Sequence, residues 1–415
     1  MTIQERIAHA EAGLKEQFAR IDAMEELGTS RVLAAFQHHQ VAYRHFAPTT
    51  GYGYDDVGRD TMERIFAELF GTEAAIVRPQ IASGTHAIAL CLFGLVRPGE
   101  QILSATGTPY DTLESIIGWG EETPVGSLKE MGVGYAQVPM KDGRIDVDAV
   151  DRAITPQTTL VIAQRSRGYD LRPSLMPEDF APLADMLHRK HPGVRLMVDN
   201  CYGEFVCEKE PSHYGADVCV GSLIKNPGGG LAPTGGYVVG TEEAITRIAY
   251  RLTAPGIGLE VGSYAASYQP FYQGLFMAPH TVAQALKTAC LTARVFEELG
   301  MSTTPPAAEP RADIIQAIEL QTPERVVAFC QGIQMASPID SMALPEPWDM
   351  PGYADQVVMA AGTFVSGASV ELSADAPMRE PYAVYMQGGL TYAHGRIALA
   401  QALKRMADMG ALELS

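Results

Sequence analysis

Apolar residues recur at steps of three and four from residue 3 to about 27 (Ile3, Ile7, Ala10, Leu14, Phe18, Ile21, Met24), which keeps one helix face apolar until Gly28 reads as a stop. A second helix is predicted from Ser30 to His45, and a third from Thr61 to Phe70, closed by Gly71. The period then changes. Short apolar or β-branched runs predict strands at 75–78, 101–104, 134–138, 159–164, 195–199, 217–221 and 235–239. Helical patterns at 85–95, 111–118, 147–153 and 178–190 lie between many of them. Such alternation predicts an α/β fold with a parallel sheet covered on both faces. Beyond residue 280 a helical pattern runs from 281 to 299, followed by a Pro-containing break at 304–310. Strands are then predicted at 356–361, 368–372 and 383–387, and a helix at 393–410. The expected organisation is an N-terminal helical segment (1–50), a large α/β domain (51–280) and a smaller α+β domain (281–415).

Composition narrows the classes. The chain has 415 residues, enough for a substantial core. Its 31 basic and 49 acidic residues give a formal charge of −18, so no footprint for nucleic acid or an anionic membrane is present. The longest apolar run, Ala87 to Val96, is broken by Gly94 and is about half of what a membrane span requires. The first residues show no basic segment leading into an apolar one, so no secretory signal is expected. Six scattered cysteines without a C-x-x-C pair fit reduced thiols, with Cys201 as the possible exception, and a cytoplasmic location is expected.

Three segments carry candidate chemistry. Ser83-Gly84-Thr85-His86 opens a helix after an apolar run, where free amides and the helix dipole suit a phosphate; an ordinary N-cap is the alternative. Arg195 to Asp199 is a strand ending in a carboxylate, which at the carboxyl edge of a parallel sheet points into the ligand crevice, though strand-end Asp also serves turns. Asp217 to Ser222 leads into Leu223-Ile224-Lys225-Asn226-Pro227 and three glycines, so Lys225 is either a solvated turn residue or an amine for an aldehyde cofactor. With the aromatic Tyr110 between them, these groups follow the order suited to pyridoxal 5′-phosphate: amides for the phosphate, an aromatic face for the ring, a carboxylate for the ring nitrogen and an amine for the aldehyde. His38, His39 and His45 share one predicted helix without an acidic partner at ligand spacing, so packing is expected there and no metal.

On Val198 to Phe205, Gly221 to Gly230 and Glu371 to Pro377 with Arg379, the chain resembles the fold-type I pyridoxal-phosphate enzymes of cysteine and methionine metabolism. Within them it is most similar to the aluminium-resistance or methionine gamma-lyase-like branch, over roughly residues 30 to 410. The resemblance implies an aspartate aminotransferase-like fold with a mostly parallel seven-stranded sheet. It also implies that Lys225 carries the cofactor covalently and acts as base, that Asp199 pairs with the pyridine nitrogen, and that Ser83, Gly84, Thr85 and Ser222 hold the phosphate. Tyr110 would stack on the ring and assist proton transfer, Tyr54 would reach a neighbouring subunit's phosphate, and Arg379 would clamp the substrate carboxylate. Two departures stand out: Arg59 is the only arginine near the Tyr54-Asp55-Asp56 segment, and the family asparagine near the ring hydroxyl has no counterpart in Gln164 to Tyr169, where Arg165 or Arg167 could substitute.

The implied activity is α,β- or α,γ-elimination from an amino acid, chiefly carbon–sulfur cleavage, by a homotetramer built from two catalytic dimers. Elimination or replacement with a non-sulfur leaving group, transamination, and a catalytically silent binding protein on the same fold remain alternatives, because fold alone does not fix the reaction.

Overall fold

The computed structural model describes residues 1–120, 122–350, 353 and 355–413. Three helices come first: α1 (Ile3–Ala12), α2 (Lys15–His38) and α3 (Val57–Phe70). The alternating region follows, with β1 (Ala74–Arg78), α4 (Gly84–Leu95), β2 (Gln101–Ser104), α5 (Asp111–Ile117), β3 (Gly134–Gln137), α6 (Val147–Ala153), β4 (Thr158–Gln164), α7 (Ala181–Lys190), β5 (Arg195–Asp199), β6 (Val218–Ser222), β7 (Gly236–Gly240) and α8 (Glu242–Leu252). The C-terminal part comprises α9 (Gln269–Glu298), β8 (Thr303–Thr304), β9 (Ile315–Glu319), α10 (Pro323–Met335), β10 (Val357–Ala360), β11 (Ser373–Pro377), β12 (Ala383–Gln387) and α11 (Tyr392–Asp408).

Seven strands form the large sheet in the order β1-β7-β6-β5-β4-β2-β3, and only β7 runs antiparallel to its neighbours. Every residue of β6 and β7 is buried, which is why both read as unbroken runs of apolar and small residues. Gln164 pairs in register with Asp199, and Asp199 with Val220, so the carboxyl ends of β4, β5 and β6 form one edge. The chemistry collects there. The second sheet is antiparallel, β10-β11-β12-β9-β8. Among the described residues no helix is long and apolar enough to cross a membrane, and all six cysteines are unpaired.

Several of these expectations need correction. The first helix breaks at Gly13, and the second runs through Gly28 to His38 instead of starting at Ser30 and reaching His45. Gly28 is a packing residue: a Cβ there would lie 2.9 Å from Cβ of Pro279 on α9, so the missing side chain permits the two helices to approach. The strand expected at 368–372 is a bend whose Glu371 carboxylate accepts from the amides of Phe364 (2.8 Å) and Val365 (2.9 Å); the ladder begins one residue later, at Ser373. The helix expected at 281–299 begins at Gln269, so α9 runs across residue 280.

Candidate active site

Ser83 caps α4, its Oγ accepting from the His86 amide at 3.0 Å, and the first amides of the helix have no intrahelical acceptor. Gly84 sits where a Cβ would lie 3.4 Å from both Cys201 Sγ and Ser222 Cβ, so the helix start meets the ends of β5 and β6. Thr85 Oγ1 lies 3.3 Å from Thr112 Oγ1 at the start of α5. The cup read from sequence therefore faces the sheet edge.

At that edge, Asp199 Oδ1 accepts from the Cys201 amide at 3.1 Å, fixing the carboxylate at the strand end. Ser222, almost fully buried, accepts from the Ile224 amide at 3.3 Å. Lys225 follows in the turn, its Nζ 3.9 Å from the centroid of the Tyr202 ring. Tyr202 lies in the left-handed region (φ 73°), a backbone strain of the kind that clusters at functional sites. Asn226 Nδ2 donates to the carbonyls of Tyr202 and Glu204, each at 2.9 Å, locking the turn after β6 onto the turn after β5. The glycines that follow permit close approach: a Cβ on Gly229 would meet the Gly274 carbonyl of α9 at 2.3 Å.

Burial works to lower the pKa of the Lys225 ammonium, but the acidic groups Cys201, Tyr202, Asp199 and Glu204 together hold it above its ordinary value. Cys201 is a free, buried thiol like most of the others, and burial, with Asp199 adding to it, pushes it well up. Tyr110 is likewise raised by burial, and its hydroxyl bonds the Tyr353 hydroxyl. Tyr110, Tyr169 and Tyr385 form one aromatic wall, with successive ring centroids 5.9 and 5.3 Å apart.

The roof of the Lys225 cavity comes from the small antiparallel sheet. Asp375, Tyr385 and Gln387 line it, and Gln387 Nε2 donates to Asp375 Oδ2 at 2.9 Å. Burial pushes Asp375 up to about 6 against the Gln387 bond and the Lys225 charge. No role was assigned to Asp375 from sequence, although a lone acid among the small residues of Ser373-Ala374-Asp375-Ala376-Pro377 was a usable signal of a buried charge.

Four residues singled out from sequence stand outside this cavity. Tyr54 is 61% exposed and stacks on Tyr52 at 5.4 Å. Arg379 pairs with Asp355 at 2.9 Å and reaches the Tyr169 carbonyl at 3.4 Å, in a recess on the other side of Tyr169 and Tyr385. Arg165 is buried against Asn200 and Glu210, and Arg167 donates to the Thr304 carbonyl. The cavity itself brings together Lys225, Asp199 and Tyr110, with Gly84 and Ser222 adjoining. An amine, a strand-end carboxylate, a helix start with free first amides and a phenol on one edge form the donor set that pyridoxal phosphate requires.

Comparison with known proteins shows what the whole chain is similar to. The chain is 52% identical over 393 residues to protein YnbB of Bacillus subtilis, covering 94% of this chain and 93% of that one. A solved structure of a carbon–sulfur lyase involved in aluminium resistance from Clostridium novyi superposes with a TM-score of 0.93 at 45% identity, covering 97% of this chain and 96% of that one. The pyridoxal-5′-phosphate-dependent protein YhfS of Escherichia coli shares the fold alone, at 18% identity and a TM-score of 0.62 over 94% of this chain and 97% of that one. The methionine gamma-lyase family model matches residues 3–407, and the chain belongs to that family.

Proposed function

We propose that this protein is a pyridoxal-phosphate-dependent carbon–sulfur lyase that eliminates a thiol from the β or γ carbon of a sulfur amino acid. The observation that carries the reading is the Lys225 amine held over Tyr202 at the same sheet edge as the Asp199 carboxylate. Family membership and the name of the Clostridium novyi relative support it. When bound, the cofactor supplies an electron sink for the charge left at the substrate α carbon.

The protein's own groups would do the rest. Lys225 Nζ would hold the cofactor until the substrate amine displaces it, and the freed amine would then take the α proton and, for γ elimination, a β proton as well. Asp199 keeps the ring nitrogen protonated, while the amides of Gly84 and Thr85 and the hydroxyls of Ser83 and Ser222 hold the phosphate. Tyr110 covers the ring and passes a proton to the departing group. Arg379, to which the resemblance gives the substrate carboxylate, would have to leave Asp355 and the recess beyond Tyr169 and Tyr385 to reach it.

We further place the protein in the cytoplasm, on its six free thiols, and assign it a homotetramer of two catalytic dimers in which Tyr54 serves the neighbouring site. The test of the activity is an amino-acid panel with 2-keto acid, ammonia and thiol measured together. Release of all three from methionine, cystathionine or cysteine is the expected result, and the keto acid separates β from γ elimination. Keto acid without ammonia or thiol would show transamination and overturn the reading.

A further inference from the structure

The sequence gives His38 and His39 no acidic partner nearby, but the fold supplies one from another helix. His38 is the last residue of α2 and His39 its C-cap, while Glu68 lies in the last turn of α3. Adjacent side chains on a regular helix point about 100° apart, so two consecutive imidazoles converge only where the helix ends. Here they converge on one atom: His38 Nδ1 is 2.7 Å and His39 Nε2 is 2.8 Å from Glu68 Oε2. The two rings lie 4.8 Å apart, tilted by 39°. Both helices also end at this point, so the negative ends of two dipoles favour a cation.

We propose that His38 Nδ1, His39 Nε2 and Glu68 Oε2 form a binding site for a borderline first-row divalent cation, with Zn2+ the ion it suits best. Two imidazoles and a carboxylate select this class, whereas Mg2+ and Ca2+ call for oxygen ligands throughout. Zinc bonds of about 2.0–2.2 Å in tetrahedral geometry space the ligand atoms about 3.3 Å apart, roughly half an ångström wider than the present separations. Room for that adjustment exists, because the side chains of His38 and Glu68 are 71% and 38% exposed while His39, at 17%, is the fixed member. The ion replaces the proton of the His38–Glu68 hydrogen bond, and water completes its coordination. Bound there, it clips the end of α2 to α3 and closes the base of the segment that carries Tyr52 and Tyr54.

The experiment is calorimetric titration of ZnCl2 into tag-free, chelator-treated holoenzyme, with Glu68→Gln and His38→Ala compared against the parent. Expected is one Zn2+ per chain at micromolar affinity, weakened at least about tenfold in each variant, with MgCl2 giving no heat. Unchanged circular dichroism in Glu68→Gln separates loss of a ligand from loss of fold. Absence of zinc binding in the parent, or affinity equal in the parent and both variants because thiols or the cofactor take the ion, would overturn the proposal.

Discussion

Glu204 is fully buried beside the site: Tyr237 Oη donates to its Oε1 at 2.8 Å, and among the described residues its Oε2 has no hydrogen-bond partner. Burial, opposed by a backbone hydrogen bond and the Tyr237 bond, pushes its carboxyl up to about 8. The folded protein therefore holds a proton that the unfolded chain releases in the ordinary carboxyl range. Between those two values stability falls as pH rises, and above about 8 this group adds no further slope. Glu204→Gln keeps the shape and removes the titrating proton, so its stability by urea unfolding should stay flatter from pH 6 to 8.5 and exceed the parent's at pH 8.5 by roughly a few kcal/mol. Parallel pH curves for the two proteins would refute this. Lys225 calls for a different readout. Lys225→Ala should lose both the visible absorption of bound cofactor and turnover while retaining the native far-ultraviolet spectrum; a variant that keeps the absorption and the keto-acid release would remove Lys225 from its assigned role.

The α2–α9 pair depends on Gly28 facing Pro279, whose own place inside a helix already forfeits a backbone hydrogen bond. Gly28→Val should force the helices apart and lower stability by about 1–3 kcal/mol by urea unfolding, with the cofactor absorption unchanged; an unaltered midpoint would show that the contact yields freely. Read locally, the same glycine looked like a helix stop, because a packing glycine and a capping glycine have identical neighbours until the second helix is in place. The inner strands of the large sheet were legible because burial on both faces leaves an apolar run that polar and small residues end, whereas the edge strand β3 is not buried. Asp199, Ser222, Lys225 and Gly84 were legible with them, being fixed to the ends of those elements. Other parts of the site depend on pairing between distant segments. Asp375 and Gln387 meet across adjacent strands of the small sheet, and Glu68 reaches His38 from a separate helix. Strand β9 and helix α10 escaped notice, although Thr322-Pro323 at the helix start and Val326, Phe329, Cys330 and Ile333 along it carry a cap and a helical period.

The chain presents Tyr52 and Tyr54 to solvent on a loop that is held in place. Arg59 Nη1 donates to the Gly53 carbonyl at 2.8 Å, Ser263 Oγ donates to the Gly51 carbonyl at 2.8 Å, and a Cβ on Gly53 would collide with the Ser263 backbone at 2.8 Å. A stacked aromatic pair fixed outward is a surface for contact rather than a loose end. If Tyr54 serves a neighbouring subunit, its loss and the loss of Lys225 fall in the same site of a mixed dimer, and the other site is intact. Lys225→Ala and Tyr54→Phe should each be strongly impaired alone. Unfolded together, refolded and reassorted at random, half of the dimers are mixed and each keeps one intact site, so activity should return to about a quarter of the parent's. Were Tyr54 to serve its own chain, every site of the mixed dimer would carry a lesion and nothing would return. Light scattering on the same samples should give the tetramer mass. A monomer with full activity would overturn both the assembly and the role of Tyr54 across it.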